Sequence, residues 1–183
     1  MTSPALVIPL LAFVVAGCVS TRDEPFALDD GDGVAAQPGD YSCKTADANG
    51  AAKTEQARLV RLRRAARTQY LLLAPDNSSA EPFTLHRAKG DTYIAAVAHA
   101  GDPGEDLYVA QLLDNGKEFR LYAEGDDLAA RARMLARQRG ATFAPSRFGA
   151  DLGGPVEGQK TLMVELASDL KGWKLSADCR FAR

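Results

Sequence analysis

The residues of this 183-residue chain that could do chemistry are few: three cysteines, two histidines, and scattered hydroxyls and carboxylates. A nucleophile needs a base within hydrogen-bond reach, and only His86 and His99 offer an imidazole. His86 follows Leu85 in a predicted strand and points to the opposite face. His99 stands at a strand end near Asp102, a pairing that acid-base work permits and that an ordinary loop explains equally well. Ser78 and Ser79 lie in a polar loop without the strand-to-helix elbow that activates a hydrolase serine. Asp126 and Asp127 could join a metal site, but capping the helix that follows them needs no metal. The run Asp29-Asp30-Gly31-Asp32-Gly33 supplies too few oxygens at too irregular a spacing for calcium. Two histidines and two unclustered cysteines make a poor tetrahedral zinc set. The chain is therefore expected to hold no catalytic residue, metal or cofactor. A small periplasmic hydrolase or an enzyme accessory subunit stays open as the alternative.

One charged stretch stands out. Between Lys53 and Arg67 the cations Lys53, Arg58, Arg61, Arg63, Arg64 and Arg67 meet only Glu55. Arg61 and Arg63, two residues apart on one strand face, could with Arg64 or Arg67 meet an anionic lipid surface, a polysaccharide or an acidic protein. A solvated face is the plain alternative. The whole chain has a formal charge of −2, which gives no reason to expect nucleic acid.

The beginning of the chain is the most specific part. From Ala5 to Val19 there is no charged residue, yet the run is too short, and too interrupted by Pro9, for a comfortable membrane-spanning helix of about 20 residues. It closes on Val15-Ala16-Gly17-Cys18, which resembles the lipobox of bacterial lipoprotein precursors. The resemblance covers this segment alone. It implies that residues 1–17 are a removable signal, that Cys18 receives a diacylglyceryl group, and that Cys18 becomes the first mature residue, with acyl chains holding it at a membrane. Val15 stands where Leu is more usual. Met1 to Pro4 lack the expected Lys or Arg, so either the free amino terminus serves or translation starts upstream. After Cys18 comes Val19 rather than Asp, which by the same resemblance implies the outer membrane, with the protein facing the periplasm.

Residues 18–40 carry Asp23, Glu24, Asp29, Asp30 and Asp32 against Arg22, interspersed with Gly and Pro, and read as a lipidated N-terminus and flexible acidic tether. Residues 41–183 then form a single exported domain. With Cys18 given to lipid, Cys43 and Cys179 remain, and in an oxidising compartment they read as a disulfide tying the first element of the domain to the last.

Those elements follow from periodicity. Gln56 to Arg64 alternates as a half-buried strand, with Val60 and Leu62 opposite Arg61 and Arg63, although Ala51 to Ala66 also suits a helix. Strands are expected at Tyr70 to Ala74, from Phe83, at Tyr93 to Val97, and on both sides of Asn115-Gly116, a strong hairpin signal. Leu128, Ala132, Leu135 and Ala136 predict a helix from Leu128 to Arg139 ended by Gly140. Residues 143–159 read as loop. Thr161 to Leu170 fits either period, with a helix preferred on the Lys171-Gly172 cap. Trp173 to Phe181 alternates as a final strand. Together these predict an α+β domain, a curved antiparallel sheet or partly closed β-barrel with one or two packed helices. The function expected is a non-catalytic envelope lipoprotein that binds a protein partner or small ligand near the membrane.

Overall fold

The computed structural model describes residues 18–26, 36–46, 52–64, 67–73, 82–98, 104–125, 127–146 and 149–182. Residues 1–17, His99, Asp102, Ser78, Ser79, Asp126 and Asp29 to Gly33 lie outside them.

The strands are β1 (Cys18–Thr21), β2 (Gly39–Ala46), β3 (Ala52–Arg64), β4 (Arg67–Leu73), β5 (Phe83–Lys89), β6 (Thr92–Ala98), β7 (Glu105–Leu113), β8 (Glu118–Glu124), β9 (Thr142–Ser146), β10 (Gly149–Gly153) and β11 (Trp173–Phe181). Two helices, α1 (Leu128–Arg139) and α2 (Val156–Ala167), lie between β8 and β11. Each strand from β2 to β8 pairs with the next, β8 pairs with β11, and β11 returns to β2, closing an eight-stranded antiparallel barrel. The seam between β4 and β5 is a single bridge, Tyr70 to Phe83. The remaining strands form an annex: β1 pairs antiparallel with β7 and parallel with β10, and β10 pairs with β9.

Strand alternation sorts the side chains into two cores. Inside the barrel lie Tyr41 and Cys43 of β2, Ala57 and Leu59 of β3, Tyr70, Leu85, Tyr93 and Ala95, Ala110 and Leu112, Phe119, Ala177 and Cys179. Outside β6 and β7, the residues of opposite parity, Ile94, Ala96, Leu107 and Val109, pack beneath α1, α2 and the annex. Burial on both faces explains why Tyr93 to Val97 is a continuous apolar run rather than an alternating one. Elsewhere the outer wall carries Lys44, Arg120, Asp178 and Arg180. An apolar interior and a charged exterior reverse the polarity of a barrel that spans a membrane.

The expectation of an α+β fold with a curved or partly closed sheet is corrected: the molecule is a closed β-barrel with two short helices. Closure depends on pairing β2 with β11, which are far apart in the chain, and local periodicity carries no information on such pairs. The stretch 143–159, expected as loop, instead supplies β9, β10 and the first turn of α2. Its strands pair with each other and with β1, so their stability is a tertiary matter. The helix preferred at 161–170 exists but ends at Ala167, capped at Ser168, whose Oγ donates to Val164 O at 2.6 Å. Lys171 and Gly172 fall in the turn beyond it. α1 has the expected bounds, buried stripe and Gly140 cap, but Asp127 makes no side-chain capping bond. The β7–β8 hairpin forms around Asp114 to Gly116, all at positive φ (47°, 55° and 82°).

Candidate functional site

Cys18 opens β1 and is 6% exposed. Its register partner is Gly149 on β10, while pairing with β7 begins one residue later, at Val19. The thiol lies 3.5 Å from Ser20 Oγ, which donates to Asp106 Oδ1 at 2.6 Å. Burial pushes the thiol pKa up, outweighing the hydrogen bond from Ser20, so this sulfur is held as a thiol and is poorly disposed to act as a nucleophile.

The residues after Cys18, expected to form a tether, are packed into the fold at least as far as Phe26, and the chain is buried again at Ala36. Val19 and Phe26 are enclosed in the outer core. Thr21 Oγ1 donates to Gln159 Oε1 at 2.5 Å, and Gln159 Nε2 donates to Asp23 Oδ2 at 2.5 Å and to Gly154 O at 2.6 Å. Phe26 N donates to Glu105 Oε1 at 2.8 Å. Buried amide and carboxylate groups persist because these bonds replace their hydration. Sequence reasoning missed this polar girdle. Gln159 sits in a stretch read as loop. The one available signal was Phe26, the lone aromatic of an acidic segment.

His86 is also buried. Its Nε2 lies 2.8 Å from Thr84 Oγ1, and its ring packs against Phe26 with centroids 5.3 Å apart. Both side chains, of His86 and Thr84, lie opposite Leu85 on the outer face of β5, the strand against which α2 packs. A solvent-open depression of about 570 Å³ lies elsewhere, between Asp91, Tyr93 and the Asp114 to Gly116 turn, and its lining offers the carboxylates of Asp91 and Asp114 but no histidine, cysteine, serine or threonine. Among the described residues no three His, Cys, Asp or Glu side chains are grouped to hold a metal ion.

Cys43 and Cys179 form a disulfide inside the barrel, and they are register partners in the β2–β11 pair. The bond therefore staples the seam that joins the start of the barrel to its end.

The arginines lie on the β3–β4 hairpin, where Arg64 is opposite Arg67, Arg63 opposite Thr68, and Arg61 opposite Tyr70. β2 accompanies β3 only as far as Leu59, so the hairpin runs on past that neighbour. The faces are the reverse of the simplest expectation: Ala57 and Leu59 point into the barrel, so Arg61 shares the interior side and Val60 and Leu62 the outer wall. Arg61 is half-buried, its Nε has no hydrogen-bond partner, and a terminal nitrogen lies 3.5 Å from Thr68 Oγ1. Arg58, on the outer side, is paired with Asp40 at 2.6 Å and holds that exposed carboxyl below its usual pKa.

Compared with known protein families, with curated proteins and with solved structures, the chain finds no match.

Proposed function

We propose that this chain is the precursor of an envelope lipoprotein, anchored through Cys18 at the outer membrane and facing the periplasm, whose barrel binds a protein partner through its surface and does no chemistry. The observation that favours a protein partner over a small ligand is the close packing of the described residues on the inner face of the barrel. Tyr41, Leu59, Tyr70, Leu112, Phe119 and the Cys43–Cys179 disulfide occupy the interior that a carrier of small ligands keeps open. The hydrolase reading gains no support from the described residues, since His86 is committed to Thr84 beneath Phe26. The Val15-Ala16-Gly17-Cys18 run supports the anchor, and the hairpin bearing Arg63, Arg64 and Arg67 is the surface offered to an acidic partner.

Two measurements test this reading. Intact mass of the protein isolated from membranes should show Cys18 as a lipid-modified first residue, and Cys18→Ser should abolish acylation; a mature protein that keeps Met1 and lacks lipid would overturn the anchor. In-cell crosslinking from the hairpin should trap a protein, and Arg63→Ser with Arg64→Ser and Arg67→Ser should reduce the yield several-fold. An unchanged yield removes the arginines from the proposal.

A further inference from the structure

The residues that follow Cys18 are built into the annex, against β7 of the barrel. Val19, Ser20 and Thr21 pair with Leu107, Asp106 and Glu105 on one side and with Ala150, Asp151 and Leu152 on the other. β1 takes the edge of β7 that β8 leaves, because β8 pairs with β7 only from Val109 onward. Thr21 and Asp23 are bonded to Gln159, and Phe26 N to Glu105. The neighbouring backbone is shaped to admit this strand. At Gly149 (φ 148°) a Cβ would stand 2.0 Å from Cys18 O, and at Gly104 (φ 127°) one would stand 2.3 Å from Thr21 O, so a side chain at either position collides with β1.

Cys18 differs from the residues after it. Its register partner is Gly149 of β10, its thiol lies 3.5 Å from Ser20 Oγ, and at 6% exposure it has no room for a diacylglyceryl group where it stands. A modified Cys18 must turn outward, while the pairing of Val19, Ser20 and Thr21 with both β7 and β10 holds the residues that follow it.

We infer that the lipid anchor joins the fold without a tether, so that the end of the annex where β1 begins beside Gly149 of β10 rests on the lipid surface. The inference rests on the proposed acylation of Cys18. A disordered segment of about 20 residues would let the domain wander about 25 Å from its anchor. A single extended residue reaches only about 3.5 Å. Ser146 pairs with Gly149, beside Cys18, and so lies about 10 Å from the anchor across two strand spacings. Lys117, in the β7–β8 turn, lies roughly 20 Å or more away along β7 at about 3.3 Å per residue.

The test uses lipidated protein reconstituted into phosphatidylethanolamine–phosphatidylglycerol vesicles, with one fluorophore on a cysteine introduced as Ser146→Cys or Lys117→Cys, and brominated phospholipid as quencher. Quenching should be several-fold greater at Ser146 than at Lys117. A flexible Gly/Ser insert of about 20 residues between Cys18 and Val19 leaves β1 intact and should remove that difference. Equal quenching at the two positions in the chain without an insert, or a difference that survives the insert, overturns the tetherless anchor. Mass spectrometry of the same samples separates the two ideas: lipid on Cys18 with equal quenching defeats only this inference, whereas an unmodified Cys18 defeats the lipoprotein reading and the inference together.

Discussion

Breaking the Cys43–Cys179 disulfide should cost this barrel a large part of its stability. The two cysteines are 136 residues apart in sequence, and the bond joins register partners on β2 and β11. In the chain-entropy account, cross-linking so long a loop removes about 5 kcal/mol of freedom from the unfolded ensemble, with measured values more often about 2 to 4. Domains are commonly stable by only about 5 to 15 kcal/mol. With a urea dependence of about 2 kcal/mol per molar, a loss of 3 to 4 kcal/mol moves the unfolding midpoint down by roughly 1.5 to 2 M. Two forms separate the cross-link from packing. Reduced wild-type protein keeps both sulfurs in the barrel core, so its loss reports the cross-link. Cys43→Ala with Cys179→Ala also empties two buried sites and should lose about 1 kcal/mol or more beyond the reduced protein. Urea unfolding followed by far-ultraviolet circular dichroism, with free thiols counted in the denatured state, measures both. A midpoint that moves by less than about 0.3 M on complete reduction, within extrapolation error, would refute the reasoning, because a cross-link spanning nearly the whole barrel cannot be silent in the unfolded ensemble.

Gln159→Leu removes the buried amide that holds Thr21, Asp23 and Gly154 together and leaves the Thr21 hydroxyl and Gly154 carbonyl short of partners. It should destabilise the fold by about 2 to 3 kcal/mol, and amide hydrogen exchange should accelerate in Val19 to Phe26 more than in β2 or β3; uniform acceleration would show that Gln159 does not pin the N-terminal segment. Alkaline pH should also weaken the barrel. Burial, with a smaller contribution from neighbouring Tyr70, raises the Tyr41 phenol from its ordinary pKa of 10.0 to about 12, and its hydroxyl donates to Gln37 O at 2.6 Å. The folded state therefore holds this proton longer than the unfolded state, so the stabilisation is complete below pH 10 and is lost as pH rises towards about 12. Tyrosinate absorbance and unfolding midpoints followed across that window check the sign. Stability that rises with pH there, in a Tyr41→Phe comparison, contradicts it.

Local pattern determined much of the secondary structure. The alternation along Trp173 to Phe181, the Leu128, Ala132, Leu135 and Ala136 stripe, and the Asn115-Gly116 turn each reappear in the fold, because strand and helix periods are written within a few residues. Even so, Leu175, on the expected apolar face, is 49% exposed: a register shift between Leu175 and Ala177 moves it out of phase as β11 passes from the outer core at Trp173 to the inner core at Ala177. The candidate sites divide along the same line. The Cys43–Cys179 pair was legible once Cys18 was set aside as the expected lipid site. That Cys18 is buried beside Gly149, with neighbouring Ser20 bonded to Asp106, was not, because Gly149 and Asp106 come from β10 and β7, more than 80 residues away along the chain. Alternation put Arg61 and Leu62 on opposite faces of β3 but could not say which face is inside. Only closure of the ring, β11 onto β2, decides that, because an inside exists once the first and last strands meet. The sequence by itself thus determined the strand and helix periods, the hairpin turn and the pairing of Cys43 with Cys179. The tertiary structure alone decided that the sheet closes, which face of each strand is core, and that Val19 to Phe26 packs into the fold, since each of these rests on contacts between residues that no local window contains together.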